Sequence, residues 1–446
     1  MILNKTEFFE VRVFPSRLLC WTVGLALLLI PVALEARQQD SKAKPFTLEE
    51  CIALAVHNNP QLISYRYDLQ ESEERIREAR SVFYPTLQLS AAADRSSGSS
   101  GQGYADSSQT SSYTTGISSS YYLFQGGKKT ASVDATRFGY EAATFQYETD
   151  LQDLTLRVTQ SYYRLLQAEH LLKAIERSVE RAELHLEFAR ARFEAGLASR
   201  SDILRAEVDL SNANLSLIRA RNSRLFLAGT LNVFLGQEAN QPIQIVDNLG
   251  DFLPEKLAGF DSLLSLAYEL RPELRRMDSQ LEIQKSNISL ARSFRSPWFS
   301  AAANYNFAGT SLSSLSSRWS FGLTMSFPLF TGFATSSRIA QEEIALEALK
   351  RQRQALQQQI SLDVWNAFLS LKEAEERIEN TKKYLENAQE NLNIAEGEYR
   401  EGVGAMIEVV DAQTALVAAE GSHIEALADF KIAVVALEKA LGRRFF

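Results

Sequence analysis

The sequence predicts a mainly α-helical chain that contributes strands to a membrane β-barrel. Three observations lead there. The chain is written twice, each copy holds a long proline-free stretch with a heptad stripe, and four short segments alternate between apolar and polar residues. The composition is that of a folded protein, with 45% of 446 residues hydrophobic and 23% charged, which excludes a disordered or low-complexity chain. A formal net charge of -8 speaks against nucleic acid as a partner, because phosphate neutralisation needs a basic face. Ten prolines and 21 glycines are few for this length and leave room for long helices.

The duplication is legible from matched segments. Leu123-Phe124-Gln125-Gly126 matches Leu329-Phe330-Thr331-Gly332, Phe193-Glu194-Ala195-Gly196 matches Tyr399-Arg400-Glu401-Gly402, and Leu235-Gly236 matches Leu441-Gly442, all at an offset of about 206 positions. Upstream, Asn59-Pro60-Gln61-Leu62 matches Arg271-Pro272-Glu273-Leu274 at an offset of about 212. The first copy therefore holds roughly six more residues, which fall most naturally in a loop around Ser96 to Ser112. Two long copies indicate an intramolecular duplication and not a solenoid.

The elements follow in order. Residues 1–36 read as a signal peptide: Arg12 and Arg17 precede an apolar run from Leu18 to Leu34 that exits at small residues. Removal of that segment takes Cys20 with it and leaves Cys51 without an intramolecular disulfide partner. The first repeat spans 37–236, with helices at about 46–84 and 128–235 and strands at about 86–94 and 113–124. A segment at 237–260 connects the copies. The second repeat spans 261–446, with helices at about 261–295 and 333–441 and strands at about 298–307 and 318–328. Gly turns at Gly196 and Gly402 divide the long helical stretches.

The helical stripe runs Val158, Leu165, Ala168, Leu172, Ile175, Val179, Ala182, Leu186, Ala189, Phe193 in copy one. In copy two it runs Val364, Ala367, Leu371, Ala374, Ile378, Leu385, Ala388, Leu392, Ala395, Tyr399. A period of 3.5 held this long predicts coiled-coil packing. The stretch from Lys128 to Ala195 is about 68 residues without proline, or on the order of 100 Å of helix.

The alternating segments behave differently. Trp319, Phe321, Leu323, Met325 and Phe327 alternate with Ser320, Gly322, Thr324 and Ser326, and three weaker runs start near Trp298, Thr86 and Tyr113. Each run is about nine to eleven residues, the length of a tilted membrane strand. Trp319, Phe321, Leu323 and Phe327 are expected to face lipid, with the small polar face towards a wet lumen. Four strands cannot close a spanning barrel, so several chains must share one. A dimer gives about eight strands and a trimer about twelve, and the residues alone do not choose.

The duplicated helix–hairpin–helix plan, Pro328-Leu329-Phe330-Thr331-Gly332, the turn and acidic helix from Tyr399 to Asp411, and the two Leu-Gly ends resemble the TolC-type outer-membrane efflux protein family. The resemblance covers nearly everything after the signal segment. Copy one departs from it in lacking the proline before Leu123. The resemblance implies a homotrimer in the outer membrane of a Gram-negative bacterium, with a twelve-stranded barrel and a large periplasmic portion built as an α-helical tunnel. It implies an exit duct of a tripartite efflux or type I secretion system, working with a periplasmic adaptor protein and an inner-membrane transporter. On that pattern Glu408 and Asp411 form acidic rings at a periplasmic constriction, and the connecting segment belongs to an equatorial belt. The tips Gly196-Leu197-Ala198-Ser199 and Gly402-Val403-Gly404-Ala405 meet the adaptor.

Glu408 and Asp411 are three apart and share a helix face, but acids just after a helix start also suit the helix dipole. Asp202, the matching position in copy one, fits a capping role with Ser199. No catalytic constellation is present: His57, His170, His185 and His423 are scattered, and neither a Gly-x-Ser-x-Gly elbow nor a phosphate-binding glycine loop occurs. No cofactor or metal is called for, and four methionines without a cluster offer no dedicated path for soft cations. The alternative to a duct is a trimeric structural stalk or adhesin anchored by its barrel. A stalk gains nothing from strands placed twice in the chain.

Overall fold

A computed structural model of the chain describes residues 45–98, 108–250 and 259–443. The expected signal segment, the centre of the first hairpin loop and part of the inter-repeat segment lie outside the described residues.

Each repeat enters through two helices where a single one is expected. In copy one these are α1 (Leu48–Asn58) and α2 (Pro60–Arg80). Thr47 and Glu50 form a reciprocal capping box at the start of α1. The break at Asn59 has a local cause. Pro60 supplies no N–H and pushes the residue before it into extended backbone. Asn59 then caps the new helix, its Oδ1 accepting from the N–H of Gln61 at 3.0 Å and of Leu62 at 3.1 Å. Its Nδ2 donates to the Phe234 carbonyl at 2.9 Å.

The first hairpin follows, with strands β1 (Thr86–Gly98) and β2 (Ser108–Gln125). Next come the long helix α3 (Lys128–Glu194, 67 residues) and its return, α4 (Arg200–Phe234). Copy two repeats the plan. Helices α5 (Phe260–Leu270) and α6 (Pro272–Ser293) break at Arg271 for the same reason. Strands β3 (Trp298–Gly309) and β4 (Ser316–Ser326) come next, then α7 (Ala334–Glu401, 68 residues) and α8 (Met406–Ala440). The Arg271 side chain repeats the task of Asn59: its Nε donates to the Ala440 carbonyl at 2.8 Å. Phe234 and Ala440 are matched by the repeat offset, so both copies tie the end of their last helix to the residue before the proline.

The four strands form one antiparallel sheet in the order β1-β2-β3-β4. The central pairing of β2 with β3 joins the two copies. β1 and β2 reach further into the Ser/Gly-rich stretch than expected. Asp94 to Gly98 pair with Ser112 to Ser108, so residues read as loop from their composition extend the hairpin. Pairing partners override the weak strand propensity of Ser and Gly there.

The coiled-coil stripes are the core of the long helices. Of the copy-one stripe only Leu172 and Phe193 are not buried, and of the copy-two stripe only Ala367 and Leu385. The buried apolar residues form separate clusters strung along the helices. At mid-length Phe46 bridges Ile245, and the Tyr162 hydroxyl donates to the Val246 carbonyl at 2.7 Å. This fixes the described part of the inter-repeat segment against α3.

The Leu-Gly helix ends have a strict steric basis. Gly236 has φ +74, and a Cβ there would lie 2.4 Å from the Asn58 carbonyl oxygen. Gly236→Ala is expected to lower the melting midpoint of the purified protein, by about 1–3 kcal/mol of strain at least. Gly139→Ala, in the middle of α3 with open space around it, is expected to be neutral or to raise the midpoint. Equal effects at both positions would refute the steric reading.

Candidate functional site: the tunnel tip and the barrel wall

The tip is made by two helix turns. Gly196 (φ +73) ends α3, with the Leu197 N–H donating to the Arg192 carbonyl at 2.8 Å. Gly402 (φ +84) ends α7, and the N–H groups of Val403 and Gly404 both donate to the Glu398 carbonyl at 3.0 Å. Left-handed glycine closes each helix, as the two glycines suggest from sequence. The turns present bare aliphatic side chains: Leu197 is 70% exposed and Val403 80%. Ala198 and Gly404 are half-buried, and Ser199 and Ala405 stand at the helix starts that follow.

Arg192, which the sequence reading missed, pins the two turns together. Its guanidinium donates to the carbonyls of Tyr399 and Arg400, stands 5.0 Å over the Tyr399 ring and 5.9 Å from the Phe188 ring. A cation here meets the partial negative charge at the end of α7. A basic residue in the last turn of α3 was the only sequence signal, and it is too common to single out.

Glu408 and Asp411 lie near the start of α8, both exposed. Glu408 accepts from the Ala405 N–H at 3.0 Å, as Asp202 accepts from the Ser199 N–H at 3.1 Å. Both acids therefore cap their own helices, a role the sequence reading preferred for Asp202 alone. Asp411 makes no such contact with the helix start and carries its carboxylate in solvent.

The sheet register settles which strand residues share a face. Directly opposed residues point to the same side. Trp319 opposes Tyr305, which opposes Ile117, which opposes Leu89. Phe321, Leu323 and Met325 oppose Ala303, Ala301 and Phe299 on that same side. The other side carries Ser320, Asn304, Ser118 and Gln88 in one row. All four alternating runs thus fall in a common phase. A bulge between Tyr122 and Phe124 shifts that phase near the end of β2, leaving Leu123 out of the pairing and bringing Phe124 onto the side of Phe299. Trp319 is 74% exposed, and Phe321, Leu323 and Phe327 are also exposed.

Among the described residues no helix is long and apolar enough to cross a membrane, and no group of three His, Cys, Asp or Glu is placed to hold a metal. Comparison with known proteins accounts for this architecture. The family model for outer membrane efflux proteins matches residues 51–237 and 263–443, one match per repeat. The chain belongs to the outer membrane efflux protein family. The outer membrane protein TolC of Vibrio cholerae is 24% identical over 409 residues, covering 89% of this chain and 90% of that protein. Protein CyaE of Bordetella pertussis is 25% identical, covering 89% of this chain and 84% of that protein. The crystal structure of CusC, from work on transmembrane channel formation, superposes with a TM-score of 0.78 at 21% identity, covering 89% of this chain and 92% of that one. The protein is an outer-membrane efflux channel, with its helices on the periplasmic side.

In this efflux protein a polar seam crosses the alanine-rich helix contacts above the tip. Asp429 of α8 accepts from Arg164 of α3 at 2.9 Å and from Arg377 of α7 at 3.0 Å. His185 of α3 lies 3.1 Å from Glu396 of α7, with Asp209 of α4 nearby. Burial holds the Asp209 carboxyl above the usual carboxylate range, while His185 pulls it the other way. Its Oδ2 is buried without a hydrogen-bond partner. A carboxyl raised in the fold binds its proton more tightly there than in the unfolded chain. Stability therefore falls as pH rises from the unfolded carboxylate pKa through the raised native one. Asp209→Asn is expected to raise the melting midpoint at pH 7, with the gap over the unchanged protein closing towards pH 4 and below. A gap that widens on acidification would contradict the burial argument.

Proposed function

We propose that three copies of this chain form a passive exit duct, gated at its periplasmic tip and serving a tripartite efflux or type I secretion system. The observation that carries the reading is the open-edged sheet. One face is apolar, the other small and polar, and both outer strands, β1 and β4, lack a partner on one side. In lipid those edges must be paired, and further copies of the chain supply the pairing. Three copies give about twelve strands, in line with the family resemblance.

The helices support the same assembly. Leu204, Val208, Leu215, Ile218, Leu225, Phe226 and Val233 are all exposed on α4 and fall on one face of that helix. This stripe runs from Leu204 to Val233, about 45 Å of helix, and is covered by a neighbouring copy. The exposed aliphatic tips at Leu197 and Val403 suit a periplasmic adaptor protein. The family resemblance implies that energy comes from an inner-membrane transporter through that adaptor.

Three copies of Glu408 and Asp411 place about six carboxylates around the three-fold axis, where they concentrate cations. The helix-capping bond of Glu408 uses one oxygen and leaves the other for the aperture. In a planar bilayer the protein is expected to give cation-selective openings that a trivalent cation on the tip side blocks. Glu408→Ala with Asp411→Ala is expected to remove the block and weaken the selectivity. Openings that the double variant leaves unchanged would take these residues out of the aperture. No openings even after Arg192→Ala has loosened the tip would favour a structural stalk.

The sheet assignment has its own check. A spin label at Phe321 is expected to be accessible to oxygen and shielded from a water-soluble nickel chelate. The reverse accessibility would place that face in water and overturn the wall.

A further inference from the structure

A cavity of about 580 Å³ lies where the sheet meets the helices, on the polar face of the sheet. Trp298 and Tyr122 stack there with ring centres 5.8 Å apart. Lys128 opens α3 beside it and Arg338 lies in the second turn of α7. Both cations stand over one ring, that of Phe294, with Lys128 Nζ at 5.6 Å and Arg338 Cζ at 5.0 Å from its centre. Neither is in an ion pair among the described residues, and no carboxylate lines the cavity. The rest of the lining is largely serine and threonine.

An aromatic face stabilises an exposed cation by only about 0.5–1 kcal/mol and leaves its N–H donors unused. A charge-assisted hydrogen bond to an anion takes those donors and is stronger. The positions matched to Lys128 and Arg338 by the repeat are Ala334 and Ser132, so the duplicated fold does not require this pair of charges. The Trp298–Tyr122 stack adds flat apolar surface beside them.

We propose that this cavity is a resting site for exported molecules that carry a carboxylate, phosphate or sulfonate on an aromatic or apolar body. The anion lies between Lys128 and Arg338, and the body lies against Trp298. The luminal position rests on the duct reading. A phospholipid has the same chemistry, but the cavity sits on the polar face of the sheet, away from the apolar wall.

The test uses Trp298 as the reporter, in protein that lacks the signal segment and with it Trp21, and whose Trp319 and Trp365 are replaced by Phe, in phosphatidylcholine nanodiscs. Quenching by 4-nitrobenzenesulfonate is compared with quenching by neutral 4-nitrobenzyl alcohol. The sulfonate is expected to reach half-quenching at a concentration about tenfold lower. Lys128→Gln with Arg338→Gln is expected to erase that preference, and Lys128→Arg with Arg338→Lys to keep it. No preference, or a preference that survives loss of both charges, overturns the site. A preference abolished by phosphatidylglycerol nanodiscs assigns the site to lipid and overturns the exported occupant. Potassium current through the same protein reads the duct separately. Current without sulfonate preference rejects the site alone, whereas preference without current, even after Arg192→Ala has loosened the tip, rejects the duct and leaves an anion site standing.

Discussion

A backbone N–H or C=O in hydrocarbon has no water to turn to. That constraint shapes this chain more than any single contact. Its only membrane-crossing candidates among the described residues are four strands, and four strands leave two open edges. A lone chain would leave those edges unpaired in lipid, which is why we propose that further copies close them. The requirement reaches the helices as well. Each strand pair continues into helices of 67 and 68 residues, and copies joined at the barrel are also joined along the tunnel. The exposed apolar stripe on α4 is the surface we propose for that second contact.

Within one chain the duplication solves a packing problem twice with the same residues. Alanines in the stripe, Ala182 and Ala189 among them, let α3 approach α4 and α8, while the larger apolar side chains fill between them. The copies differ where function is expected. Tyr399 is 6% exposed, while its counterpart Phe193 is 44% exposed. Arg192 reaches across from the first copy to hold the end of α7 beside Tyr399. The tip is thus asymmetric, with the second hairpin clasped by the first.

The sequence carried most of this architecture because its signals are periodic. The heptad stripe and the alternation of Trp319 to Phe327 repeat often enough to outvote local exceptions. Features decided by one residue or one distant partner were less legible. The breaks at Asn59 and Arg271 depend on a proline that can equally sit inside a kinked helix. The strand ends at Asp94–Gly98 and Ser108–Ser112 depend on pairing with each other, which Ser/Gly composition hides. The clasp by Arg192 joins residues 207 apart in sequence, and no local pattern marks it. The capping bond of Glu408 was visible in copy one as Ser199-x-x-Asp202, but Ala405 conceals it in copy two because alanine offers no side-chain cap.

In the proposed duct the carboxylates of Glu408 and Asp411 stand at the tip, and Lys128 and Arg338 stand at the junction of sheet and helices. Both features matter only if the strands close around a lumen with three-fold symmetry. Native mass spectrometry of the intact particle, released from mild detergent, tests that most directly. The account expects a mass of three chains. A stable single chain that keeps its strand content, or a closed pair of chains, would contradict it.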